Sequence, residues 1–215
     1  NFSVPTGNFG DIYAGYIAKK MGLPINKLLI ATNKNDILKR VIDTGIYKPQ
    51  KVKQTISPSM DIQVASNFER LLFDVVGQDD KEVSSLMNNL STKGFFKLDQ
   101  KAITKIKKDF CAEKINDQET LSLIKDLNNE SKFIIDPHTA TALGAAQKIG
   151  NLSKTIVLGT AHPYKFLETM TSVTGKKIKK PSQLSKLMVG KEKYDILKNN
   201  NNIVKKYILE KNYEN

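Results

Sequence analysis

The chain has few of the residues that build covalent or metal-bound frameworks. Of its 215 residues one is cysteine, two are histidine and none is tryptophan. The single thiol, Cys111, excludes an internal disulfide and any cysteine-rich metal site, and it suits a reducing cytoplasm. No apolar run approaches the roughly 18 residues of a membrane span, so no membrane partner is expected. The opening Asn1-Phe2-Ser3-Val4-Pro5 lacks the basic-then-apolar pattern of a secretory leader. A first residue other than Met points to a processed chain or a fragment. Arginine is scarce as well. The net charge of +12 invites a nucleic-acid partner, yet 32 of the 34 basic residues are lysines and only Arg40 and Arg70 are arginines. Bidentate reading of phosphate and guanine leans on arginine. A non-catalytic basic nucleic-acid-binding protein is therefore an alternative that the composition disfavours. From Gly175 onward eleven lysines face four acidic residues, so +7 of the charge sits in the last 41 positions.

What is present is an ordinary soluble composition, 40% hydrophobic and 26% charged, on a chain long enough to bury its own core. Phe2 to Pro5 reads as the end of a strand, Thr6-Gly7-Asn8-Phe9-Gly10 as a turn, and Asp11 to Met21 as a helix closed by Gly22. Lys27 to Ala31 suits a buried parallel strand. A helix follows from Asp36 to Asp43, with Asn33 or Asn35 as its cap and Gly45 as its stop. Strand, glycine turn, helix, strand, helix is the alternation of an α/β domain with a parallel sheet. Further on, a loop spans Ile46 to Pro58. Helices are expected over Asp61–Val76, Lys81–Asn89, Gln100–Cys111, Asp117–Asn128 (capped by Asp117) and Thr139–Ile149. Phe95 to Leu98 reads as an edge strand, and Phe133–Ile135 and Lys154–Leu158 as buried strands. The tail carries short helices, with a loop over Asn199–Asn202.

Three segments carry candidate chemistry. In Thr6-Gly7-Asn8-Phe9-Gly10-Asp11, a glycine turn between strand and helix aims backbone N–H groups and the positive end of a helix at one place, which suits a phosphate. A plain tight turn with Asp11 as cap fits the same residues. In Leu158-Gly159-Thr160-Ala161-His162-Pro163, the Thr160 hydroxyl falls just past a strand's C-terminal end, where open α/β sheets bind ligands; an ordinary strand-end turn is the plainer reading. Asp136-Pro137-His138-Thr139 again lies between strand and helix. Two histidines far apart make a weak metal case, so Asp136 and His138 are better read as a cap and a supporting group, and no metal is expected.

Taken in order, these segments resemble the threonine synthases. The similarity runs through Ser3 to Ile12, Ala14-Gly15-Tyr16, Lys19 to Pro24, Ser57 to Val64, Ser66 to Arg70, Asp136 to Ala140, and Thr160 to Pro163 with Lys165-Phe166. It covers roughly residues 3 to 170, and the lysine-rich tail matches only loosely. The resemblance implies an α/β fold of pyridoxal-phosphate fold type II (tryptophan synthase β-like): the large domain, with a mostly parallel sheet flanked by helices. Residues 1–174 would form the cofactor-binding domain and 175–215 a helical extension. It implies a cytoplasmic lyase that uses pyridoxal 5'-phosphate (PLP) to convert O-phospho-L-homoserine and water to L-threonine and phosphate; the phospho-lyase relatives are the alternative within the class. Gly7, Asn8, Phe9 and Asp11 would contact the PLP phosphate, mainly through main-chain N–H groups, with Gly10 shaping the loop. Thr160 would hydrogen-bond the pyridine nitrogen. The family's Schiff-base lysine lies upstream of the phosphate loop in a Phe-Lys-Asp context, and no residue here matches it: Phe96-Lys97-Leu98 lies downstream and lacks the Asp. The chain is thus expected to need the N-terminal part of the same polypeptide as its partner, and to be inactive alone. A parallel sheet without its leading strands would also expose an edge, which raises the question of whether the chain folds well by itself.

Overall fold

A computed structural model describes residues 1–150, 154–187 and 189–212. The chain divides into two compact units, Asn1–Ile178 and Lys179–Asn215. The first is built on four parallel strands in the order β5-β2-β1-β6: β1 (Phe2–Pro5), β2 (Leu28–Thr32), β5 (Phe110–Lys114) and β6 (Ile156–Val157). Side chains alternate across β2. Leu28 and Ile30 enter one core with Ile12, Val41, Phe68 and Phe110; Leu29 and Ala31 enter another with Ile115, Ala142, Ala145 and Ala146. Both faces are covered, which is why the strand is a continuous apolar run rather than an alternating one.

Helices α1 (Gly10–Lys20), α2 (Ile37–Thr44), α3 (Phe68–Val75), α4 (Asp80–Lys93) and α5 (Gln100–Asp109) belong with the larger core. A two-stranded antiparallel pair, β3 (Ile46–Tyr47) with β4 (Phe96–Lys97), extends that core through the stack Phe68–Tyr47–Phe96. On the other side lie α6 (Asp117–Ser131), α7 (Pro137–Ile149) and α8 (Leu167–Thr174). Helix α7 is made of small residues because it runs close to its neighbours: a Cβ on Gly144 would sit 2.7 Å from Leu123 Cδ1 and 3.1 Å from Ile115 Cδ1. A buried bond from Ser3 Oγ to Ala142 O, 2.6 Å, fixes α7 to β1. The unit Lys179–Asn215 contains α9 (Ser182–Leu187) and α10 (Asn201–Asn212).

Several expected elements change. The helix expected to reach Cys111 ends at Asp109, and Phe110–Lys114 is strand β5, paired with β2 along its length. Its ionic residues hid it: Glu113 and Lys114 are tolerated because β5 is a sheet edge, where Lys114 reaches Asp36 at 2.8 Å. Phe133–Ile135 is not a strand, and Phe133 is 64% exposed. The expected buried strand Lys154–Leu158 shortens to Ile156–Val157, with Ile156 exposed on the other edge. Phe95–Leu98 is an edge strand only over Phe96–Lys97, and the expected loop from Ile46 to Pro58 opens with its partner β3.

Caps shift too. Asp36, not Asn33 or Asn35, stands at the N-cap of α2, and Asn116 rather than Asp117 caps α6 in a reciprocal box with Glu119. Of the helix expected over Asp61–Val76 only Phe68–Val75 forms. The Asp61 carboxylate is engaged instead by Asn33, Asn35 and Thr55, and those side-chain bonds compete with helix formation. The loop expected over Asn199–Asn202 gives way to α10 at Asn201, because Asn200 Oδ1 accepts the amides of Asn202 and Ile203.

Candidate functional site

The C-terminal ends of the neighbouring strands β1 and β6 open onto a cavity of about 280 Å³. It is lined by the turn from Pro5 to Ile12, by Ser59 and Met60, by His138, and by Thr160, Ala161 and Lys165. All six residues singled out in the sequence, Gly7, Asn8, Phe9, Gly10, Asp11 and Thr160, therefore meet at one place. Crevices of open parallel sheets form at these strand ends.

The turn is held from beneath. Thr6 continues the sheet by donating its amide to Ala31 O at 2.8 Å, and its hydroxyl donates to Val4 O at 2.6 Å. Phe9 is 1% exposed; its ring meets Phe68 edge-on at 5.3 Å and Phe110 at 5.7 Å. Its backbone is left-handed, φ 68°, an unfavourable conformation for a side-chain-bearing residue that the burial offsets. Phe9 thus faces the cavity with its backbone and the core with its ring. Gly7 is required by close approach: a Cβ there would lie 2.8 Å from Ser59 O and 3.0 Å from Met60 Cα. Gly10 differs, since a Cβ would meet nothing nearer than Asn67 Nδ2 at 3.5 Å. The Asn8 side chain turns away to accept from the Ser66 amide at 2.6 Å and the Ser66 hydroxyl at 2.9 Å.

The Ser57–Asp61 segment is pressed against Gly7 by a polar knot that the sequence did not reveal. Asp61 Oδ1 accepts from Asn33 Nδ2 (2.8 Å), Asn35 Nδ2 (2.9 Å) and Thr55 Oγ1 (2.7 Å), and Asn33 Nδ2 also donates to Ser57 Oγ at 2.9 Å. Residues from the end of β2 and from the following loop thereby fix Ser59 and Met60 as one wall of the cavity. The mixture of Asn, Thr, Ser and Asp over 33–61 was visible; that they converge was not.

Electrostatically the turn is an open N-terminus. Among the described residues no side chain caps α1, and the first amide after Thr6 that finds an acceptor is that of Tyr13, on Phe9 O at 3.1 Å. Among the described residues the amides of Gly7 to Ile12 have no protein acceptor. Such a cluster at a helix start takes an anion. Lys165 adds a cation to the rim; its ammonium donates to Ser59 Oγ at 3.3 Å and lies over the Phe166 ring. Lys165 went unassigned in the sequence because its neighbour across the cavity, Ser59, is 106 positions away.

Across the cavity, Asp136 caps α7. Its Oδ1 accepts from the His138 amide (2.9 Å), the Thr139 amide (3.4 Å) and His138 Nδ1 (3.2 Å), and its Oδ2 accepts from the Thr139 hydroxyl. Burial alone would raise the Asp136 pKa, but the hydrogen bonds from His138 and Thr139 prevail and hold it below the ordinary carboxylate value. Thr160 is exposed on the cavity wall. His162 stands outside that wall and starts the 3-10 turn Pro163–Phe166, its Nδ1 accepting the Tyr164 amide at 3.0 Å. Lys97 lies away from the cavity, in β4 opposite Ile46. Burial of Cys111 pushes its thiol pKa up, which makes a nucleophilic role unfavourable.

Comparison with known proteins gives a consistent result. The family model described as threonine synthase, C-terminal, matches residues 139–208. Threonine synthase from Pseudomonas aeruginosa is 41% identical over 201 residues, covering 92% of this chain and 43% of that protein. The Saccharomyces cerevisiae enzyme is also 41% identical, covering 89% of this chain and 42% of its own length. The solved structure of PLP-bound threonine synthase from Brucella melitensis superposes with a TM-score of 0.84 at 43% identity, over 96% of this chain and 45% of that one. The chain spans less than half the length of the relatives it matches.

Proposed function

We propose that the chain, similar to the C-terminal part of the threonine synthases, is that family's counterpart of this part and supplies the cofactor-phosphate half of an active site converting O-phospho-L-homoserine and water to L-threonine and phosphate. One observation carries this reading. Six consecutive amides without acceptors, at the start of α1, share a cavity with the Thr160 hydroxyl at the C-terminal ends of β1 and β6. That donor set fits the phosphate and ring nitrogen of PLP. Bound PLP would supply an electron sink for carbanion chemistry. The amides of Gly7 to Asp11 would hold its phosphate without a cationic side chain, and Gly10 leaves room above the helix start. Thr160 would offer a hydroxyl rather than a carboxylate to the pyridine nitrogen, which leaves that nitrogen largely unprotonated and tempers the sink. Asp136 and the Ser57–Asp61 segment would keep the two walls in place.

No lysine of this chain lies in the Phe-Lys-Asp context of the family's anchoring residue. The lysine, and the groups that take the substrate carboxylate, would come from the N-terminal part of the same polypeptide, in a cytoplasmic setting. Among the described residues no helix is long and apolar enough to cross a membrane.

The test uses the full-length polypeptide. PLP should give a protein-bound absorbance band, and the preparation should release phosphate from O-phosphohomoserine with threonine as the organic product. Gly10→Asp places a carboxylate among the amides. It should weaken PLP binding more than about tenfold, since like charges then meet at the phosphate, while leaving thermal stability near that of the parent. Bound PLP with 2-oxobutanoate as product and no threonine would move the protein to the phospho-lyase relatives. Undiminished PLP binding by Gly10→Asp would sink the phosphate-loop assignment.

A further inference from the structure

The cavity has a second polar group that the reading above leaves unused. His138 is among the residues that line the cavity, its side chain is 4% exposed, and Nε2 is buried with no hydrogen-bond partner among the described residues. A buried polar atom without a partner is costly, so native structures rarely keep one without a ligand or water to satisfy it. The other face of the ring is fixed. Nδ1 lies 3.2 Å from Asp136 Oδ1, the same oxygen that receives the His138 amide, and the ring packs 5.0 Å from Phe166. A carboxylate oxygen can only accept, so Nδ1 carries a hydrogen. Nε2 is then either a bare lone pair or, in the imidazolium form, a second donor aimed away from Asp136.

The groups around the cavity set what Nε2 can meet. The charged groups at the cavity are Asp136 behind the ring, Asp11 on α1 and Lys165 on the segment after β6. The free amides of Gly7 to Ile12 make the cavity a site for anions. An anionic oxygen offers no hydrogen to a bare Nε2, but it accepts one from an imidazolium whose charge Asp136 balances. We propose that His138 is a positioning residue that donates Nε2–H to an anionic phosphate oxygen of the cavity's occupant, oriented by Asp136. The oxygen can belong to the cofactor's phosphate or to a second phosphate beside it. The inference rests on the anion-binding reading above.

The experiment follows the ring nitrogens of His138 by 15N NMR in the full-length polypeptide, with PLP absorbance recording saturation. In the ligand-bound protein both nitrogens should show the doubly protonated pattern. If PLP produces it and pyridoxal does not, the cofactor's phosphate is the acceptor. If it appears only when inorganic phosphate is added to the PLP-saturated protein, the acceptor is a second anion. Saturation with PLP and phosphate while Nε2 stays unprotonated overturns the His138 assignment and leaves the cofactor site standing. Failure to bind PLP removes the cofactor reading instead; inorganic phosphate alone then decides, with the Gly10 amide reporting occupancy, and an unchanged Nε2 or an unoccupied loop overturns the proposal. As a second readout, His138→Gln keeps a donor and should hold PLP or phosphate affinity within about threefold, whereas His138→Leu should lose about tenfold, one hydrogen bond to a charged group. Equal affinity of the two variants counts against the contact.

Discussion

Two helix starts face the same cavity, and they are finished in opposite ways. At α7 the protein satisfies its own N-terminus: Asp136 takes two amides, a ring N–H and a hydroxyl. At α1 the corresponding position is Phe9, which has no side-chain acceptor to offer and is turned inward to pack between Phe68 and Phe110. Both helices leave the C-terminal end of the sheet region, and both point a partial positive charge at the cavity. Only α1 keeps its amides open for a molecule from outside. A closed start stabilises the fold at once; an open one defers that gain until a ligand arrives. The contrast separates the wall proposed to bind from the wall that holds, and it places His138, with one nitrogen satisfied by Asp136 and one without a partner among the described residues, between the two.

The largest effect should come from breaking the anchor of the open start. Phe9→Ala removes a 1%-exposed ring from the main core and should cost about 3–5 kcal/mol in urea unfolding, with loss of PLP binding as a consequence. A loss below about 1 kcal/mol would mean that the turn holds its shape without the ring. Next comes a pair of single-methyl changes that divides packing from binding. Gly7→Ala drives a Cβ into Ser59 O and should cost about 1–3 kcal/mol as the Pro58–Met60 turn shifts. Gly10→Ala meets only Asn67 Nδ2 at 3.5 Å and should leave stability within about 0.5 kcal/mol, so any loss of PLP affinity reports the ligand side alone.

The smallest loss of stability expected to be measurable concerns the closed start. Asp136→Asn keeps a capping oxygen but loses the charge, and should cost roughly 1 kcal/mol near neutral pH. Because the Asp136 pKa is lowered on folding, its charged form favours the folded state. That contribution is complete above the unfolded value of 3.8 and is lost as pH falls through the lower folded value. The stability gap between the parent and Asp136→Asn should therefore close in acid. A gap that stays constant down to pH 3 would show that shape alone, not charge, makes the cap.

Several elements around the cavity could be read without coordinates, because they are local. The glycine turn, the helix after it and the apolar run Leu28-Leu29-Ile30 each announce themselves within a few residues, through dihedral freedom, capping chemistry and burial on both faces. What misled was chemistry that depends on distant partners. Phe110–Lys114 carries ionic residues and extends a helical pattern, yet it is a strand because β2 offers it a parallel ladder. Phe133–Ile135 is apolar enough for a strand but finds no sheet neighbour among the described residues. Asp61 looked like the start of a helix, and three side chains from two other segments claim its carboxylate.

The sequence by itself determined the α/β class and the strand, glycine turn and helix that open the chain, since those follow from short-range backbone and side-chain properties; the residues proposed to serve a cofactor came from its ordered resemblance to the threonine synthases, because by local properties alone the turn fitted a plain turn as well. Tertiary structure alone decided that Thr160 and Lys165 line one cavity with that turn, that Ser59 presses on Gly7, and that one nitrogen of His138 is left without a partner among the described residues. These are contacts between segments more than fifty positions apart. Their energies arise only when the sheet sets strand ends side by side, and no local pattern in the chain encodes that juxtaposition.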